Sequence, residues 1–164
     1  MDREEIFRGI RAEIEEIIKG SEDRDEKLLG ICGLLKERVP HYDWVGFYLV
    51  DPDKKDELVL GPYVGEPTEH VRIPFGKGIC GRAAVEEDTV VIQDVNKQDN
   101  YLSCSPFVRS EVVVPIIVDE RFVGELDIDS NDLGPFTEED RSFLEDICRR
   151  LSTHFKLTVN GLIQ

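Results

Sequence analysis

The chain predicts an α+β fold: a mostly antiparallel sheet, helices from both termini on one of its faces, and a pocket under loops on the other. Three observations carry this. Apolar residues recur with helical period only near the two ends. Between those ends the period falls to two. Polar turn sequences split the strands into hairpins at both ends of the strand set, and hairpins join antiparallel neighbours.

Ile6, Ile10, Ile14, Ile17 and Ile18 mark a first helix that stops at Gly20. Leu28, Leu29, Cys32, Leu35 and Val39 mark a second, ended by Pro40. "DWVGFYLV" (43–50) and "ELVLGPYV" then read as strands around the polar turn "DPDKKD". "HVRIPF" is a short strand leading to a Gly-rich turn and a brief helix, "GRAAVEE". "TVVIQDV" is a further strand, and "NKQDNYLSCSPFVR" is a loop. "SEVVVPIIV" and "FVGELDID" form a tight hairpin about "DER", with Pro115 marking an edge or a bulge. "FTEEDRSFLEDICRRLSTHFKL" opens with Thr137 as N-cap, Asp140 at N3 and acids in the first turn, then shows the stripe Phe143, Leu144, Ile147, Cys148 and Leu151. The 164 residues suit a single domain over 1–164: N-terminal helices over 1–40, sheet and pocket loops over 43–130, and a C-terminal helix over 137–157.

The formal charge is −15, from 35 acids against 20 bases. That balance argues against nucleic-acid partners and anionic membrane surfaces, both of which select basic patches. No apolar run approaches the roughly 20 residues that span a bilayer, and the acidic N-terminus is unlike a signal or transit peptide. A cytoplasmic location is expected. Cys32 and Cys148 fall on amphipathic helices and read as small buried hydrophobes. Cys80 and Cys104 sit among loop formers, in "GKGICGR" and "NYLSCSP", 24 residues apart. No C-x-x-C occurs, so zinc-ribbon spacing is absent.

"GKGICG" (76–81) fits the dinucleotide fingerprint, but the helix after it has room for two turns at most and the net charge is wrong. Glycines serving a tight turn are the better account, and they leave Cys80 on a flexible turn where a thiol can be reached. If the loop of Cys104 folds over the same pocket, the two sulfurs form a redox pair within the ~7 Å Cα limit of a disulfide.

"VGELDIDSND" sets Glu125, Asp127 and Asp129 at alternate positions, and so on one strand face. Folding about Asp119 to Arg121 brings Glu111 opposite position 129. The ordinary reading is a solvated face. Against it, no basic residue in "DIDSND" neutralises the acids, and uncompensated repulsion points to a cationic ligand or a shared proton. Trp44 and Tyr48 share one face of their strand, with Val45 and Phe47 on the other. Core packing explains such rings, and so does a pocket wall for a small zwitterion with an apolar tail.

In order along the chain, "DWVGFYLV", "ELVLGPYVGEP", "VRIPFGKGICG", "SEVVVPIIV", "GELDIDS" and "FTEEDRSFLE" resemble the GAF-domain free methionine-(R)-sulfoxide reductases over about residues 43 to 148. The resemblance implies a GAF fold. It implies Cys104 as nucleophile, Cys80 as resolving cysteine, Glu111, Asp127 and Asp129 as the acids that hold substrate, and Trp44 and Tyr48 as pocket aromatics. Three positions depart from the pattern. His70 stands where many members carry a third cysteine, Ser105 follows the nucleophile where Asp is common, and Glu125 replaces an apolar residue.

The implied chemistry is a two-cysteine cycle. Asp127 and Asp129 take the substrate ammonium, and Glu111 is the candidate general acid at the sulfoxide oxygen. Cys104 attacks sulfur and is left as a sulfenic acid, Cys80 closes a disulfide, and a thioredoxin-like dithiol resets the pair. No metal or organic cofactor is required, and zinc held by His70, Cys80 and Cys104 is disfavoured. Arg72, Lys77, Arg82 or Arg109 would have to offset the acids for a nearby thiol to ionise. The rival is a non-catalytic GAF module that senses a small ligand or redox state. The apolar first helix suits a homodimer as well as a core.

Overall fold

The computed structural model describes residues 2–99, 101 and 105–155. Helices α1 (Arg3–Lys19) and α2 (Arg24–Arg38) come first. Each starts on an aspartate whose carboxylate accepts from a backbone N–H three residues on, Asp2 from Glu5 and Asp23 from Glu26, both at 2.9 Å. The strands β1 (Trp44–Val50), β2 (Glu57–Val64) and β3 (Arg72–Pro74) follow, then α3 (Gly78–Glu86), β4 (Val90–Ile92), β5 (Ser110–Val118), β6 (Arg121–Ser130) and α4 (Glu138–His154).

Among the described residues the sheet has six strands in the order β3-β2-β1-β6-β5-β4, and every pairing is antiparallel. The β5–β6 hairpin turns on Asp119 and Glu120, both at positive φ (51° and 66°), the backbone of a two-residue hairpin loop. Pro115 lies past the three β5 residues that pair with β4, so its missing N–H costs no ladder bond there, and a bulge follows between Ile116 and Ile117.

Alternation divides the strands between two apolar clusters. Val45, Phe47, Val112, Val114, Leu126 and Ile128 join the buried stripes of α1, α2 and α4. Trp44, Tyr48 and Val113 join Cys80, Ala83 and Ala84 of α3 on the opposite face. The first cluster is the main core. In it Phe7 of α1 stacks on Phe143 of α4 with ring centroids 4.0 Å apart, and burying each ring stabilises the fold by about 1.5–3 kcal/mol. Cys32 and Cys148 belong to this core, as expected for small buried hydrophobes.

The capping box of Thr137 and Asp140 forms as expected. Asp140 does more than cap. Fully buried, it accepts from Tyr42 Oη at 2.7 Å and from Arg3 Nη1 at 2.6 Å, and His41 Nε2 lies 2.7 Å from its Oδ1. This ties α1, the entry to β1 and α4 at one point. Burial alone would raise the Asp140 carboxyl, but hydrogen bonds from His41, Thr137 and Tyr42 outweigh it and hold it down at about 2.

Several expectations need correction. The strand expected over "HVRIPF" is only Arg72–Pro74. That over "TVVIQDV" stops at Ile92, because Gln93 turns to donate to the Phe136 carbonyl at 2.6 Å and its own carbonyl accepts from Gly134. Leu29 is 48% exposed, since the buried stripe of α2 runs through Leu28, Ile31, Cys32 and Leu35. Helix α4 ends at His154, and residues 156–164 lie outside the described residues. The brief helix begins at Gly78, three residues earlier than expected, so Cys80 lies in its first turn. Cys80 is therefore buried at 4% exposure and does not sit on an accessible flexible loop. The pocket face is closed by this helix as well as by loops.

Candidate functional site

Glu125, Asp127 and Asp129 alternate along β6 and are buried at 0%, 1% and 1% exposure. Cross-strand pairing fixes their neighbours. Tyr48, Gly46 and Trp44 of β1 lie opposite Glu125, Asp127 and Asp129 in turn, while Glu111 of β5 stands directly opposite Asp129. The expected Glu111–Asp129 register is therefore present, and the solvated-face reading is excluded by burial.

The glycine of "DWVG" has a specific task. A Cβ on Gly46 would lie 2.4 Å from the Trp44 ring, so the indole occupies the space that a side chain there would fill. Trp44 stacks on Tyr63 with centroids 5.4 Å apart, and its Nε1 donates to the Glu66 carbonyl at 3.0 Å. Tyr48 donates through its hydroxyl to the His70 carbonyl at 2.8 Å. The two rings share the pocket face, 6.4 Å apart, but they border different spaces. Tyr48, His70, Lys77, Cys80, Glu111 and Asp127 line a small cavity of about 10 Å³, on the scale of a single water molecule. Trp44 lines a wider cavity of about 340 Å³ with Glu66, Ser105, Phe107 and Val108.

Helix α3 brings the thiol to the acids. Gly76 (φ 90°) and Gly78 (φ 62°) take left-handed conformations that turn the chain into the helix. Gly81 lets the helix press on the end of β3, where a Cβ would lie 2.7 Å from the Pro74 carbonyl oxygen. Tight turning and close approach thus account for the three glycines of "GKGICG". Cys80 Sγ consequently lies 3.8 Å from Glu111 Oε2. One donor atom each from Cys80, Glu111 and Asp127 lies within 4.8 Å of the other two.

The electrostatics are one-sided. Burial, then the charges of Asp127, Glu125 and Glu111, push the Cys80 thiol well above its usual range. Its place in the first turn of α3 favours a thiolate through the helix dipole, but desolvation and the acids dominate. Burial, followed by the neighbouring Asp127, raises Glu125, and burial raises Asp127. Neither oxygen of Glu125, nor Oδ1 of Asp127, meets a hydrogen-bond partner among the described residues. Of the expected counter-cations, Arg72 pairs with Asp51 and Glu57, and Arg82 pairs with Glu86. Arg109 lines a groove with Arg3 and His41. Lys77 alone of the four lines the Cys80 cavity.

Cys104 lies outside the described residues. The chain on both sides of it is anchored to the pocket face. Tyr101 packs on the cluster that contains Cys80, and Ser105 lines the cavity of Trp44. Glu125, aligned from the sequence with Asp127 and Asp129 on one strand face but also noted as a departure from the family pattern, is a full member of the buried acid group. Its signal was the unbroken alternation of "GELDID". His41, Tyr42 and the structural part played by Asp140 left no such signal.

The GAF domain family model matches residues 23–155. The chain is 36% identical over 149 residues to GAF domain-containing protein A of Dictyostelium discoideum, covering 91% of this chain and 92% of that protein. It is 34% identical over 151 residues to free methionine-R-sulfoxide reductase of Escherichia coli, covering 92% and 89%. The X-ray structure of free methionine-R-sulfoxide reductase from Neisseria meningitidis in complex with its substrate superposes with a TM-score of 0.88 at 38% identity, covering 94% of this chain and 90% of that one.

Proposed function

The chain belongs to the GAF-domain family of free methionine-R-sulfoxide reductases, and from that premise we propose that it reduces free L-methionine-(R)-sulfoxide through a thiol cycle of Cys104 and Cys80. The observation that carries this reading is the 3.8 Å approach of a buried cysteine to a buried glutamate, on a sheet face that holds three further buried acids, Glu125, Asp127 and Asp129.

The Cys104 thiolate attacks the sulfoxide sulfur while Glu111 delivers a proton to the sulfoxide oxygen, so that the methionine sulfur carries a new S–S bond and a hydroxyl. The hydroxyl passes to the Cys104 sulfur as that S–S bond breaks, methionine leaves, and Cys104 is left as a sulfenic acid. Cys80 attacks that sulfur, its thiol proton and the sulfenic hydroxyl leave as water, and a Cys80–Cys104 disulfide closes. A thioredoxin-like dithiol of the cytoplasm takes up the oxidation and restores both thiols. Asp127 and Asp129 receive the substrate ammonium. A peptide-bound methionine sulfoxide has no such group, so burying it there would leave the acids uncompensated. That is the basis of selection for the free amino acid. Trp44 and Tyr48 wall the apolar part of the substrate. The Cys80 cavity, at about 10 Å³, must widen on binding or join the Trp44 cavity.

The test is product formation by the purified protein with dithiothreitol. Free L-methionine-(R)-sulfoxide should yield methionine and the S-epimer should not. Cys104→Ser should abolish the reaction. Cys80→Ser should stop turnover with thioredoxin while leaving one equivalent of methionine per protein. Binding without methionine formation would replace the enzyme with a sensor.

A further inference from the structure

On the proposed function the substrate ammonium gives Asp127 and Asp129 a partner while substrate is bound, but between turnovers nothing in that cycle offsets the buried acid around the Cys80 thiol. Cys80, Glu111 and Asp127 present three donor atoms within 4.8 Å of one another, all buried. Behind them the Glu125 carboxyl acts electrostatically on the same thiol. Both of its oxygens and Oδ1 of Asp127 find no hydrogen-bond partner among the described residues. Buried carboxyls normally find partners, so a group of unpartnered oxygens beside a thiol leaves donor atoms free for a bound cation. We propose that in the reduced protein Cys80, Glu111 and Asp127 form a binding site for a thiophilic divalent cation of the zinc class, which holds the resolving thiol out of its redox cycle until the metal is withdrawn.

The geometry suits this cation. In a tetrahedral zinc site with a Zn–S bond of about 2.3 Å and a Zn–O bond of about 2.0 Å, sulfur and oxygen lie about 3.5 Å apart. Cys80 Sγ and Glu111 Oε2 stand at 3.8 Å, a few tenths of an ångström from that. The cavity these residues line, about 10 Å³, has room for a particle of ionic size. A thiolate among oxygen donors favours zinc over magnesium, which requires an octahedral oxygen shell. Binding is a ligand exchange with no change of oxidation state. The metal gains a Zn–S bond, the Cys80 thiol loses its proton to solvent, and protons held by the raised carboxyls leave with it. His70 lines the same cavity but is not one of the three clustered donors. The donor set therefore differs from a His70–Cys80–Cys104 site.

The experiment titrates the full-length, reduced, metal-free protein with Zn²⁺ against a chromogenic chelator, and with Co²⁺ as a spectroscopic probe. One equivalent should bind, with a sulfur-to-cobalt charge-transfer band and release of at least one proton. Cys80→Ser should abolish that band, and Asp127→Asn should weaken binding at least tenfold. Zn²⁺ should raise the melting temperature of the native protein, raise that of Asp127→Asn less at the same metal concentration and leave that of Cys80→Ser unchanged, and millimolar Mg²⁺ should not compete. Absence of saturable binding, or equal binding by native protein, Cys80→Ser and Asp127→Asn, would overturn the site. Melting of each variant before metal addition separates loss of the site from loss of the fold. None of these readouts depends on sulfoxide reduction.

Discussion

Cys80 in the first turn of α3 and Glu111 in β5 approach to 3.8 Å across the face of the sheet, joining the two kinds of group that the proposed chemistry requires, a thiol and a proton carrier. The contact is buried at both ends, so neither group is levelled by water.

If Glu111 delivers the proton, Glu111→Gln should lower the rate of methionine formation by about 10²–10⁴-fold, the usual worth of a positioned acid. The isosteric amide keeps the shape of the site, and melting should confirm a native fold. Initial rates across pH check this. A rate within roughly threefold of native, with an unchanged pH profile, would remove Glu111 from the reaction.

Glu125 is raised by burial and by Asp127. A carboxyl raised in the folded state contributes stability that is complete below its unfolded pKa and is lost as pH rises through the folded value. Glu125→Gln should therefore melt higher than native protein at pH 8 and show little gain at pH 5. Each kcal/mol recovered corresponds to about 2–4 °C in a chain of this size. Scanning calorimetry at the two pH values decides it.

Asp140 works in the opposite direction. Held at about 2 against an ordinary 3.8, it contributes stability that is present above the unfolded pKa and lost as pH falls through the folded one. The shift is worth about 2 kcal/mol, given up progressively between about pH 5 and pH 2. Asp140→Asn should be less stable at pH 7 and should lack this part of the acid dependence. Denaturant midpoints from pH 7 down to pH 2 measure both effects.

Gly81→Ala tests the seating of the helix. The added Cβ would meet the Pro74 carbonyl oxygen at 2.7 Å and the Gly76 nitrogen at 2.9 Å, both backbone atoms that cannot swing aside. We expect a loss of about 1–3 kcal/mol, typical of overpacking, together with slower disulfide closure as Cys80 shifts. Equal stability and equal closure rate would show that α3 has slack.

Much of the site was legible as pairing. A fold about Asp119 to Arg121 sets Glu111 opposite Asp129, and that pairing is present, but by a different route: the two-residue turn pairs Val118 with Arg121, and the bulge between Ile116 and Ile117 adds the one residue that moves Glu111 from Ile128 to Asp129. The sharing of a face by Trp44 and Tyr48, and of another by Val45 and Phe47, followed from the period of two. Cys80 was read wrongly as exposed, because the glycines that read as turn chemistry also feed a helix whose burial depends on β3, β5 and β6. The shortened β4 was illegible for the same kind of reason: Gln93 leaves the ladder for a carbonyl 43 residues away.

The sequence by itself determined what is local and periodic: the helical stripes, the caps, the existence of the late hairpin and the line of acids along β6, since each depends on neighbours a few residues apart or on the geometry of one turn. The tertiary structure alone decided that those acids are dry, that a helix carries the Cys80 thiol onto them, and that Asp140 binds three elements together. Burial and charge proximity are properties of surfaces brought together from distant parts of the chain, and the free energy that sets them is absent until those surfaces meet.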